Sequence, residues 1–106
     1  MDAPTYRVAR LRKGDERVAQ KLFSVMQHAF DEEPPVLSDP YVSSLLARDD
    51  LWVIAASSGE KVIGGLTAHV LPMTRSESSE LFIYDLAVDE AHRRRGVARL
   101  LVAHLL

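Results

Sequence analysis

Residues 81–98 constrain the fold more than any other stretch. They run as an apolar segment, Leu81-Phe82-Ile83-Tyr84-Asp85-Leu86-Ala87-Val88, then a short acidic link, then Arg93-Arg94-Arg95-Gly96-Val97-Ala98. The first part predicts a strand over 80–88, the last opens a helix expected over 95–106. A basic, glycine-containing turn between a strand and a helix start is a place to hold phosphate. First-turn N–H groups have no intrahelical partners, and the dipole favours negative charge there. The N–H groups of Arg94 to Ala98 can converge on one anion, Gly96 removes a Cβ from its approach, and the arginines add charge-assisted hydrogen bonds. The competing reading is a solvated basic run. Cationic side chains are unfavourable at a helix start unless an anion offsets them, which favours the phosphate site.

The rest of the chain supplies the lead-in. Alternation with Tyr6, Val8 and the Ala9/Leu11 pair among arginines predicts a strand over 5–12. Gly14-Asp15 ends it and can cap a helix over 15–30, whose face carries Val18, Leu22, Val25, Met26 and Ala29. Asp31-Glu32-Glu33-Pro34-Pro35 stops that helix. Ser38 or Asp39 as cap, with Pro40 in the first turn, starts a second helix over 39–48. Strands are expected at 51–57 and 61–71, joined by the tight turn Ser57-Ser58-Gly59-Glu60. Gly64-Gly65 inside the longer strand mark a bulge or a close backbone approach. With 80–88 pairing back, the order is strand, helix, helix, three strands, helix. This is an α+β class with a mixed, mostly antiparallel sheet, not a doubly wound domain.

With 106 residues, one small domain over 1–106 is the expectation. A net charge of −2 gives no reason to expect nucleic acid. No apolar run approaches the ~18 residues of a membrane span. The chain holds no cysteine, which excludes disulfides and thiolate nucleophiles. The start lacks the features of a secretory signal, so a cytoplasmic protein is expected. The histidines lack metal-ligand spacing, so no metal is expected. The last helix is apolar nearly all round and has no stop signal, which suggests a chain cut in mid-helix. Its uncovered face makes a homodimer an expectation.

A P-loop is excluded because no Gly-Lys-Ser/Thr is present, and a dinucleotide fingerprint because only one of its glycines is. Arg93-Arg94-Arg95-Gly96-Val97-Ala98 instead resembles the Gln/Arg-x-x-Gly-x-Gly/Ala signature of the GNAT superfamily of acetyl-CoA-dependent N-acetyltransferases. Ile83 to Val88 with Glu90-Ala91-His92-Arg93-Arg94 looks like the aminoglycoside 3-N-acetyltransferases of that type. Ser38-Asp39-Pro40-Tyr41, Val53-Ile54-Ala55-Ala56 and Ala68-His69-Val70-Leu71-Pro72 do so too. The resemblance covers nearly the whole chain from Arg7 onward. It departs in a shorter loop after the first helix and in the missing C-terminal half of the fold.

The resemblance implies acetyl-CoA as cosubstrate, with direct attack by a small-molecule amine in a ternary complex. Leu86, Ala87 and Val88 would pair with pantetheine, and the Leu86 N–H would stabilise the oxyanion. Arg93, Arg94, Arg95, Gly96, Val97 and Ala98 would take the pyrophosphate. Acceptor-side groups belong at Phe82 and Tyr84. Asp85 reads as base or cation anchor, or equally as a structural carboxylate. Tyr84 reads as functional or as sheet packing, and alternation sends it to the face opposite Asp85 unless a bulge intervenes. Asp31, Glu32 and Glu33 stand where the family forms its acceptor rim, where carboxylates suit a polycationic aminoglycoside; a solvated loop is the plainer reading. His69 lies mid-strand and could reach the acceptor site, but a satisfied sheet histidine is the plainer reading. A fragment that binds CoA or another phosphate ligand without turnover, a GNAT enzyme acting on another small-molecule or protein amine, and a basic nucleic-acid patch are the alternatives.

Overall fold

The computed structural model describes residues 5–32 and 36–106. Strand β1 (Arg7–Arg10) leads to helices α1 (Glu16–Ala29) and α2 (Asp39–Leu46). Strands β2 (Leu51–Ser58), β3 (Lys61–Pro72) and β4 (Ser79–Val88) follow, then a 3-10 turn at Glu90–His92 and helix α3 (Val97–Leu105). The sheet order is β1-β2-β3-β4, and every pairing among the described residues is antiparallel. Strand β4 is therefore an edge.

The pleat divides two apolar clusters between the faces. Val53 and Ala55 of β2 point to α1 and α2, where Leu22, Met26, Val42 and Leu46 are buried. Ile54 and Ala56 point the other way, to Val97, Leu101 and Leu105 of α3. Each fully buried leucine or isoleucine contributes roughly 1.5–3 kcal/mol. Gly65 lets α1 lie close to the sheet, since a Cβ there would overlap the Leu22 side chain. At Gly64 a Cβ would sit 2.7 Å from the Ala87 carbonyl oxygen, so both glycines serve close approach.

Local chemistry sets the element ends. Ser38 caps α2, its Oγ accepting the Tyr41 N–H at 3.3 Å, with Pro40 in the first turn. Asp15 stands at the N-cap of α1, but its carboxylate accepts the Arg12 N–H at 2.9 Å instead of a helix amide. Helix α3 starts at Val97, not at residue 95: Gly96 takes φ +81°, a left-handed turn that keeps Arg95 out of the helix. The three arginines thus stand ahead of the helix, so the charge argument against a basic first turn applies to them only through the nearby amides.

Candidate active site

The register of β3 on β4 holds the main surprise. Thr67 faces Asp85 and Ala68 faces Ile83, so Tyr84 is an extra residue, a β-bulge. Strict alternation would send Tyr84 and Asp85 to opposite faces. The bulge brings both to one cleft of about 600 Å³ between the sheet and α1 and α2. Thr67 and His69 of β3, Phe23 and Phe30 from α1 and its end, Tyr41 of α2 and Glu32 also line it. The Thr67 hydroxyl donates to Asp85 Oδ2 at 2.7 Å. No cationic side chain among the described residues pairs with Asp85, so the charge of this half-buried carboxylate is open to a ligand. The His69 and Tyr84 rings meet edge to face, centroids 5.8 Å apart.

Of the acidic run, Glu32 lines the cleft. Asp31 is exposed, adopts φ +53°, and is not part of the lining. Glu33 lies outside the described residues. Phe82 is exposed and does not reach the cleft. Thr67 and the cleft-lining role of Tyr41 escaped the sequence reading, and His69, read as more simply a sheet histidine, lines the cleft. The available signal was Gly65-Thr67-His69, a polar alternation that puts one face of an otherwise apolar strand to other use.

A second cleft, of about 360 Å³, runs along the free edge of β4 and is lined by Phe30, Leu86, Ala87, Val88, Arg93 and Ala98 among others. Because the Asp89 N–H bonds to Ile63 O at 2.7 Å, the alternation of the ladder turns Ala87 toward β3 and Leu86 and Val88 away from it. The outward Val88 carbonyl accepts from Arg93 Nε at 3.0 Å. The Leu86 N–H and C=O and the Val88 N–H face no strand among the described residues. The two clefts share Phe30, and they divide the adjacent residues Asp85 and Leu86 between them.

At the end of that edge stands the basic turn. Arg94 and Gly96 take φ +63° and +81°, a left-handed backbone that costs a non-glycine residue about 1–2 kcal/mol. The N–H groups of Arg94, Arg95, Gly96, Val97 and Ala98 meet no acceptor among the described residues. The space where a Gly96 side chain would stand is open. Free amides, an open approach and three exposed guanidinium groups suit a diphosphate. Among the described residues no cluster of His, Asp and Glu is arranged to hold a metal, and no helix is long and apolar enough to cross a membrane.

Comparison with curated proteins finds no match. Among solved structures, an aminoglycoside acetyltransferase from an uncultured soil metagenomic sample is 33% identical over 95% of this chain and 69% of its own, with a TM-score of 0.88. A second soil-metagenome aminoglycoside acetyltransferase, in complex with sisomicin, is 28% identical over 94% of this chain and 66% of its own, at 0.89. AAC(6')-Iy, bound to a CoA-containing bisubstrate analogue, shares the fold at 20% identity over 95% of this chain and 69% of its own, with a TM-score of 0.74. The chain spans about two thirds of the length of these relatives. The sequence profile of the acetyltransferase (GNAT) family matches residues 16–106, and the chain belongs to that family.

Proposed function

We propose that this chain carries the donor site and much of the acceptor site of an N-acetyltransferase that moves an acetyl group from acetyl-CoA to a primary amine of an aminoglycoside. The observation that carries this reading is the meeting of the two clefts at Asp85, Leu86 and Phe30. When bound, acetyl-CoA supplies an acyl thioester. The turn amides and Arg94 and Arg95 hold its diphosphate, while Arg93 keeps the turn against β4. The outward Leu86 N–H is placed to polarise a carbonyl oxygen. On the acceptor side, Asp85 and Glu32 attract a cationic amine. Asp85, fixed through Thr67, takes the proton the amine must lose before attack. Aromatic side chains at Phe23, Phe30, Tyr41 and Tyr84 offer apolar faces to the sugar rings.

The two soil relatives support an aminoglycoside acceptor, and the likeness of Ile83 to Val88 to the 3-N enzymes directs attack to the 3-amino group. Release of CoA thiol from acetyl-CoA with gentamicin, followed by NMR of the product, tests both parts. Turnover with acetylation at the 3-amino group is expected. Acetylation elsewhere removes the regiochemical part, and failure of CoA to bind in calorimetry removes the whole. Binding without turnover favours a second reading, a chain that binds CoA and does not transfer its acetyl group.

A further inference from the structure

One contact ties the beginning of the described chain to the phosphate turn. Tyr6 Oη and His92 Nδ1 lie 2.9 Å apart, across a sequence separation of 86 residues. Their rings meet edge to face, with centroids 5.6 Å apart and an interplanar angle of 80°. Both residues are half-buried. Tyr6 directly precedes β1 and packs on the cluster beneath α3. His92 closes the 3-10 turn and is followed at once by Arg93.

The turn poses a mechanical problem that this contact solves. Its own backbone bonds run from His92 N–H to Asp89 O and from Arg93 N–H to Glu90 O, and from Arg94 to Ala98 no N–H finds an acceptor among the described residues. A loop that keeps its amides for a ligand cannot use them to hold its shape. Side chains must hold it instead. Arg93 does so from one side, on Val88 O, and the His92 ring does so from the other, on Tyr6. We propose that Tyr6 is a positioning residue for the donor site: through His92 it holds the left-handed geometry of Arg94 and Gly96 that aims the free amides at a diphosphate. This rests on the reading of the turn as the CoA diphosphate site. Without the tie, the ligand must order the turn on binding, and affinity falls by that cost.

Tyr6→Phe keeps the ring contact and removes only the hydroxyl. Calorimetry with CoA, NMR titration with pantetheine, which lacks the diphosphate, and backbone 15N relaxation of residues 93–98 test the proposal on the 106-residue chain. The CoA Kd is expected to rise about 5–10-fold, the loss of one ordinary hydrogen bond, with pantetheine binding unchanged. Order parameters across the turn should fall in the free variant and return to the wild-type values with CoA bound. His92→Phe should reproduce the change, and the double variant should add nothing to either. Equal weakening of CoA and pantetheine overturns the proposal, as does wild-type CoA affinity in both single variants. A wild-type chain that ignores CoA removes the site itself, and the positioning role with it.

Discussion

The proposed donor turn and the proposed acceptor cleft are built on opposite plans. The turn is made of backbone from one short segment, Arg93 to Ala98, whose amides from Arg94 onward meet no acceptor among the described residues. The cleft is made of side chains from α1, α2, β2, β3 and β4, brought together by a sheet and one bulge. On the proposed reading, the local backbone device recognises the part of the donor that does not vary with the acceptor, its diphosphate. A distributed side-chain device can change its acceptor by changing single residues without disturbing the donor. The two should therefore fail separately.

Asp85→Asn gives the sharpest separation. The substitution keeps the shape and the Thr67 contact, but removes the charge and the proposed proton acceptor. Turnover should fall by about 10²–10⁴-fold, the range for loss of a general base, with CoA affinity by calorimetry within twofold of wild type, about 0.4 kcal/mol. A comparable loss of CoA affinity would break the comparison, because Asp85 would then belong to the donor side.

Gly96→Ala is the converse. At φ +81° an alanine carries about 1–2 kcal/mol of backbone strain. Relief of that strain rotates the amides on either side of it. CoA affinity should weaken about 5–30-fold, while an aminoglycoside binding alone to the enzyme should be unaffected. Unchanged CoA binding would show that the turn does not use its left-handed geometry to hold the diphosphate.

The same division governs what could be read from the sequence. Local chemistry was legible. The Ser38 cap with Pro40 behind it, the stop after Ala29, the close approach at Gly64-Gly65 and the basic turn each follow from a few neighbouring residues. So did the antiparallel meander with helices on its faces, because hydrophobic periodicity and turn residues agree along it. The start of α3 was read two residues early, because Gly96 was taken as a first-turn residue and its left-handed φ was not foreseen. Tyr84 could not be placed from its own strand. Whether it shares a face with Asp85 depends on the register against Thr67 and Ala68, which no pattern within β4 encodes. His69 was read as sheet packing, since its cleft exists only once α1 and α2 are docked. Contacts such as Tyr6 with His92 lie beyond any periodic signal.

The smallest expected effect marks where the acceptor cleft ends. Asp50 lies beside β3 near His69, and its charge could be counted with those of Glu32 and Asp85. It is already committed: Arg48 Nε and Nη2 donate to its two oxygens at 2.9 and 2.8 Å. Those hydrogen bonds from Arg48 hold its carboxyl below the ordinary carboxylate value, with a lesser contribution from His69. A depressed carboxyl contributes its stability above its unfolded pKa of about 4 and loses it as pH falls through the lowered value. Because both side chains are exposed, screening leaves that contribution small. Asp50→Asn should therefore leave the acceptor KM within about twofold of wild type. Any lowering of the thermal midpoint at pH 7 should vanish in melts run well below pH 4. A larger rise in KM with a cationic acceptor would mean that the attracting surface extends past His69, and that the cleft reads charge from further out than its lining.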